Sequence, residues 1–151
     1  MPACPLPATS IVLASTVAET GRLHAWLDGS LAVAPLPDRT AHAIRLCLEE
    51  AVMNVVLHGY GPGGPGAIDV ALWSEPGAVF ARVADSAGAF DPTAARPPAA
   101  KQELAAGPPG GRGLGLIRSF AAAAQYERLD GQNRLTLEFS VPSSEPGASL
   151  R

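Results

Sequence analysis

The chain has 151 residues, 47% of them hydrophobic, with a formal net charge of -3. That length suits one domain with one core, and the apolar fraction excludes disorder throughout. Lys101 is the single lysine, which argues against a nucleic-acid surface, because displacing phosphate counterions needs clustered basic side chains. Cys4 and Cys47 form no CxxC pair and no Cys/His cluster with zinc-ligand spacing. Cys47 lies in an apolar helical run and reads as a buried free thiol in a reducing compartment. Residues 1–10 lack the basic start and long apolar stretch of a signal peptide. No apolar run approaches the roughly 20 residues that span a bilayer. A soluble, cytoplasmic protein with no membrane partner is the expectation.

Residues 1–10 are expected to form a flexible N-terminus, followed by a domain over 11–141 and a flexible tail over 142–151. Ile11 to Ala14 is a short apolar run that suits an edge strand. Thr16-Val17-Ala18-Glu19 has the form of a capping box, a hydroxyl answered by a carboxylate three residues on. A helix with Leu23, Trp26 and Leu27 follows and is expected to end near Gly29. Pro37-Asp38 opens a second helix with Asp38 as N-cap, running to His58. Gly59 then stops it by accepting positive φ at the C-cap, with Gly61 and Pro62 behind it. Ile68, Val70 and Leu72 alternate with polar or small residues in strand fashion. The Glu75-Pro76-Gly77-Ala78 turn leads to a partner strand ending at Asp85. From Asp91 to Arg112 there is no periodicity but five prolines; a stretch of roughly 20 residues of this kind is read as a functional lid or a disordered insert. Gly113 to Ala124 returns to helix. Tyr126 to Leu129, Asp130-Gly131, and Leu135, Leu137 and Phe139 form a closing hairpin. The fold class is therefore α+β: a two-layer α/β sandwich with a mixed, mostly antiparallel sheet and helices on one face.

Three segments carry chemistry. Glu50, Asn54 and His58 lie four apart and share one face of the second helix. Leu46, Ala51, Val52, Met53, Val55, Val56 and Leu57 surround them, so the helix is apolar nearly all round and reads as buried. A carboxylate and an amide there cost several kcal/mol unless they find partners, and a metal with its phosphate would be such partners; a stripe facing solvent is the plainer alternative. The glycine run 110–115 with Arg112 and Leu114 lets backbone amides approach phosphates at a helix N-terminus, or it is only a hinge. It lacks the Lys of a P-loop and the strand before a dinucleotide fingerprint. Asp85, at a strand end, suits an exocyclic amine such as that of adenine, or merely an Asx-turn over Ser86-Ala87-Gly88.

Together, in this order, they resemble the histidine-kinase-like (GHKL) ATPases, and among these the small bacterial anti-sigma factor serine/threonine kinases. The matching residues are Glu50-Ala51-Val52, Asn54 and His58-Gly59-Tyr60; Asp85 with Phe90-Asp91-Pro92; and Gly110-Gly111-Arg112-Gly113-Leu114-Gly115-Leu116-Ile117. The resemblance implies ATP and Mg2+ as cofactors. Asn54 would be the metal ligand and Glu50 the catalytic base. Asp85 and Gly88 would lie at the base, and Gly111, Arg112, Gly113, Leu114, Gly115 and His58 at the phosphates, under a lid over 91–112. It implies an anti-anti-sigma (STAS) protein as substrate, a sigma factor as a further partner, and a homodimer. The family pattern is Asp-x-Gly, and here Ala87 holds the place of that glycine with Gly88 after it. If that place needs positive φ, Ala87 weakens ATP binding. A nucleotide-controlled binding protein with little kinase activity is the alternative reading. A detached histidine-kinase domain is disfavoured, because His24, His42 and His58 are followed by Ala or Gly and only 49 residues precede Glu50. His24 and His42 read as helix-surface residues.

Overall fold

A computed structural model describes residues 6–60, 65–93, 115 and 117–141. Gly111, Arg112, Gly113 and Leu114, most of the expected lid and the expected tail lie outside the described residues. Strand β1 (Thr9–Ala14) leads through a 3-10 turn (Val17–Glu19) into helix α1 (Thr20–Ala32) and then α2 (Asp38–His58). Strands β2 (Ala67–Glu75), β3 (Ala78–Asp85), β4 (Ala123–Leu129) and β5 (Gln132–Ser140) follow. The sheet order is β1-β2-β3-β5-β4 and all four pairings are antiparallel. β1 is an edge strand as its sequence suggested, and the expected mixed sheet is wholly antiparallel among the described strands.

Alternation decides which face is covered. Ile68, Val70 and Leu72 of β2, Val79, Ala81 and Val83 of β3, and Leu135, Leu137 and Phe139 of β5 are all buried. They pack with Leu23, Leu27 and Leu31 of α1 and with Ile44, Cys47, Leu48, Ala51 and Val52 of α2 in one core. Both helices therefore cover one face of the sheet, α2 over β3 and β5, α1 against β1. The other face carries Trp73 stacked on Phe80 at 5.6 Å.

Two tight turns behave as their residues dictate. Gly77 has φ 83° between β2 and β3, while Asp130 and Gly131 have φ 54° and 76° between β4 and β5. Two successive positive φ values give the primed turn that matches strand twist.

Several local signals resolve otherwise. Thr16 makes no side-chain cap bond; instead Glu19 accepts the Ala14 amide at 2.9 Å and Arg22 Nη1 at 2.7 Å, so the carboxylate ties β1 to the helix entry. Pro37, not Asp38, is the N-cap of α2, and Asp38 is its first helical residue, where a negative charge still meets the positive end of the helix dipole. Gly59 ends α2 with φ -80°, not in the left-handed region; a Cβ there would meet Val55 O at 2.6 Å. α1 continues past Gly29 to Ala32, which buries Leu31. Of the closing helix, residues 115 and 117–120 are described, and it does not reach Ala124, because β4 already begins at Ala123. Within residues 6–10 Leu6 alone is buried, and β1 already begins at Thr9. Leu6 is 4% exposed and Ser74 Oγ donates to its carbonyl at 3.1 Å.

Candidate functional site

α2 crosses the sheet so that its last two turns face the ends of β3 and β5. Between them lies a small cavity of about 40 Å³ lined by Ala51, Asn54, Val55, Gly59, Val83, Asp85, Phe90, Pro92, Tyr126, Asn133 and Leu135. Its walls are apolar with a few convergent polar groups, the usual make-up of a small-molecule site. A larger cleft of about 280 Å³ shares Pro92 and Leu135 with it and reaches Thr93, Ile117 and Arg118.

At one end stands Asn54, with Glu50 one helical turn before it on α2. Asn54 is 6% exposed. Asn54 Nδ2 and Glu50 Oε1 are both buried without a hydrogen-bond partner among the described residues. Leaving such atoms unpaired costs about 1–3 kcal/mol each, so the pair is held at a cost that a ligand would relieve. Burial holds the Glu50 carboxyl above the ordinary carboxylate range, and the neighbouring Glu49 charge adds to this. Glu49 itself lies 3.0 Å from His24 Nε2 on α1, an exposed pair. Cys47, one turn before Glu50, is fully buried, and desolvation with the Glu50 charge pushes its thiol up to about 12.

At the other end the polar groups satisfy one another. Asp85 Oδ1 accepts from the Ala87 amide at 2.9 Å and from Asn133 Nδ2 at 2.9 Å. Asn133 Nδ2 also reaches the Gly88 carbonyl at 2.9 Å, while Asn133 Oδ1 accepts from the Phe90 amide at 3.2 Å and from the Tyr126 hydroxyl. Arg128 Nη1 donates to the Ala87 carbonyl at 2.7 Å. Asp85 faces Asn133 in the β3–β5 register, on the core side of the sheet. Among the described residues both bonds to the carboxylate fall on Oδ1.

The structure thus brings Asn54 and Asp85 to one cavity with Glu50 beside it. His58 is exposed at the end of α2 and is not among the cavity-lining residues; its neighbour Gly59 is. Gly88 is exposed beside the Asp85 turn, and Gly115 is helical and exposed. Neither Ala87 nor Gly88 has positive φ, so position 87 carries no backbone strain and the Asx-turn forms with alanine in place. Sequence reasoning missed Asn133 and Tyr126. The signal for Asn133 was present, since it continues the Leu135, Leu137, Phe139 alternation onto the core face, where an amide is out of place.

The sequence profile described as a histidine kinase-like ATPase domain matches residues 13–139. The chain belongs to this ATPase family. Family membership carries ATP as the bound nucleotide. Within the family, the chain is 41% identical over 107 residues to the serine/threonine-protein kinase BtrW of Bordetella bronchiseptica, covering 70% of this chain and 75% of that protein. The fold resembles a crystal structure of the RsbU and RsbW domains of Rv1364c from Mycobacterium tuberculosis, with TM-score 0.65 and 23% identity over 91% of this chain. This chain spans only 33% of that one. The histidine kinase domain of the blue-light activated kinase of Erythrobacter litoralis EL346 follows at TM-score 0.52 and 15% identity, covering 82% of this chain and 60% of its own.

The residues present suit a magnesium-nucleotide. Among the described residues no group of three His, Cys, Asp or Glu side chains forms a metal cage. Magnesium commonly takes one or two protein oxygens and completes its shell with phosphates and water, and the unpartnered amide of Asn54 is a donor of that kind once its oxygen faces the cavity. The amide oxygen and nitrogen differ only by a flip.

Proposed function

We propose that this ATPase domain is a serine/threonine protein kinase of the anti-sigma factor type. The observation that carries the reading is the pair of unpartnered buried polar atoms on Glu50 and Asn54, one turn apart beside a cavity that ends in Asp85. ATP would give up its γ-phosphoryl group to the attacking hydroxyl and leave as ADP, and Asn54 would hold a magnesium ion that offsets the phosphate charge. Asp85 Oδ2 accepts the amine of adenine, and the Asn133 network fixes the carboxylate for that bond. Glu50 Oε1 takes the proton of the attacking serine or threonine hydroxyl, and its raised pKa brings it closer to neutrality, where a general base works well.

The 41% identity to a protein named as a serine/threonine kinase supports transfer to protein. An anti-anti-sigma (STAS) protein is the proposed substrate, a sigma factor the proposed further partner, and a homodimer the proposed assembly. His58, Gly88, Gly111, Arg112, Gly113, Leu114 and Gly115 complete the proposed nucleotide contacts. The binding-only alternative drew in part on Ala87, whose φ is not positive; phosphate transfer to a partner separates the two readings.

The test is transfer of labelled γ-phosphate to a STAS protein, by the wild type and by Glu50→Gln. Transfer that requires Glu50 while nucleotide binding does not is the expected result. Equal transfer by both proteins would remove Glu50 from its role, and nucleotide binding with no transfer to any STAS protein would return the chain to the binding-only reading.

A further inference from the structure

The hydroxyl of Tyr60 donates to the Ala67 carbonyl at 2.7 Å and accepts from the Ser86 amide at 2.8 Å. Tyr60 follows α2 by two residues, Ala67 opens β2, and Ser86 follows Asp85 directly. One oxygen therefore joins the end of the helix that carries Asn54 to the turn that presents Asp85. The ring has a slot made for it. A Cβ on Gly66 would lie 2.2 Å from Tyr60 Cε1, so only glycine leaves room there. Gly66 is itself pinned, its amide donating to Ser15 Oγ at 2.9 Å and its carbonyl accepting the Ser15 amide at 2.9 Å. Ser15 is 9% exposed and sits at the end of β1.

We infer that Tyr60 is a positioning residue that sets the Asp85 turn against the end of α2, so that the base end and the metal end of the cavity keep one spacing. This rests on the nucleotide reading above. Asn133 holds the turn from the β5 side and Tyr60 holds it from the helix side; the two anchors share no atom. Without the hydroxyl, the Ser86 amide loses its protein acceptor. The turn then samples other conformations before nucleotide arrives, and apparent affinity falls by the fraction of time the competent turn is absent.

The experiment is titration of wild type and Tyr60→Phe with ATP, each with and without magnesium, alongside amide exchange of residues 85–88 in the nucleotide-free proteins. Phenylalanine keeps the ring in the Gly66 slot and removes only the two hydroxyl bonds. The expected result is an ATP affinity lower by about tenfold, by the same factor with and without magnesium, as two lost hydrogen bonds allow. Faster exchange at Ser86 and a thermal midpoint lower by a few degrees accompany it. Asn54→Ala, in contrast, loses only the magnesium-dependent part. Gly66→Ala displaces the ring from its other side and reproduces the loss. Wild-type affinity in Tyr60→Phe, or unchanged exchange at Ser86, overturns the inference and leaves the kinase reading standing. A wild type that binds no nucleotide overturns both.

Discussion

At the Asp85 end of the cavity the buried polar groups bond to one another, whereas at the Glu50 end they face no partner among the described residues. Both ends are lined by the same apolar strands and helix, so burial alone does not separate them. The Asp85 end is finished by folding, with Asn133 placed by strand register and the turn closed by its own Asx bond. The Glu50 end leaves two polar atoms at a net cost to the folded state. A molecule that recognises a rigid base and then captures a charged, metal-bound tail has use for this division. A preformed end selects, and an unsatisfied end gains most when the ligand completes it.

The largest expected effect lies at the unsatisfied end. Glu50→Gln should lower phosphoryl transfer by about 10²–10⁴-fold, the usual worth of a general base, while calorimetric ATP affinity stays close to wild type. Single-turnover transfer assays decide it, and a change in affinity as large as the change in rate would make Glu50 a binding residue instead.

Stability should separate the two ends by sign. Asn133→Leu strips the turn of its central amide and should cost about 3 kcal/mol in urea unfolding, because Asp85, Gly88, Phe90 and Tyr126 lose a partner together. Asn54→Leu removes an orphaned amide and should stabilise by about 1 kcal/mol while ending metal-dependent binding. If both variants destabilise equally, Asn54 is satisfied in solution and the contrast between the two ends fails.

The pH dependence has a definite sign. Glu50's folded pKa is raised, so its contribution to stability is complete below the ordinary carboxylate pKa and is lost as pH rises through the folded value. Glu50→Gln should therefore melt about 1–2 °C higher than wild type near pH 7, with the gain gone at pH 4. Transfer by the wild type should rise over the same interval as the carboxylate forms. The smallest effect concerns Cys47, whose thiol is pushed up to about 12. In a Cys4→Ser chain a thiol reagent at pH 8 should leave Cys47 unlabelled until denaturant is added.

Much of this arrangement was legible in the residues. Glu50 and Asn54 stood out because the 3.6-residue period stacks them on a helix whose other positions are apolar, and Asp85 because it ends an alternating strand. The two hairpins followed from Gly77 and Asp130-Gly131. Asn133 went unread because its meaning depends on pairing with a strand 48 positions earlier, which no local period reports. The capping signals at Thr16 and Asp38 also misled. Both are chemically able to cap, but the Glu19 carboxylate bonds the Ala14 amide and Arg22 instead, and α2 begins one residue sooner, at Asp38. Gly29 suggested a stop that burial of Leu31 overrode, a packing gain that outweighed a propensity of about 1 kcal/mol.

The order of the strands also has a consequence for synthesis. β5 lies in the interior of the sheet, between β3 and β4, yet it is made last of the five. On the ribosome α1 and α2 emerge early with the leucines of their inner faces uncovered, and the hairpin of β2 and β3 can shield only part of them. Leu135, Leu137 and Phe139 arrive about 50 residues later to close the centre of the sheet. Until then the nascent chain presents an open strand edge on β3 and an oily helical surface. Elongation pausing between β3 and β5 would prolong that exposure, and a holding chaperone would find its substrate in that window.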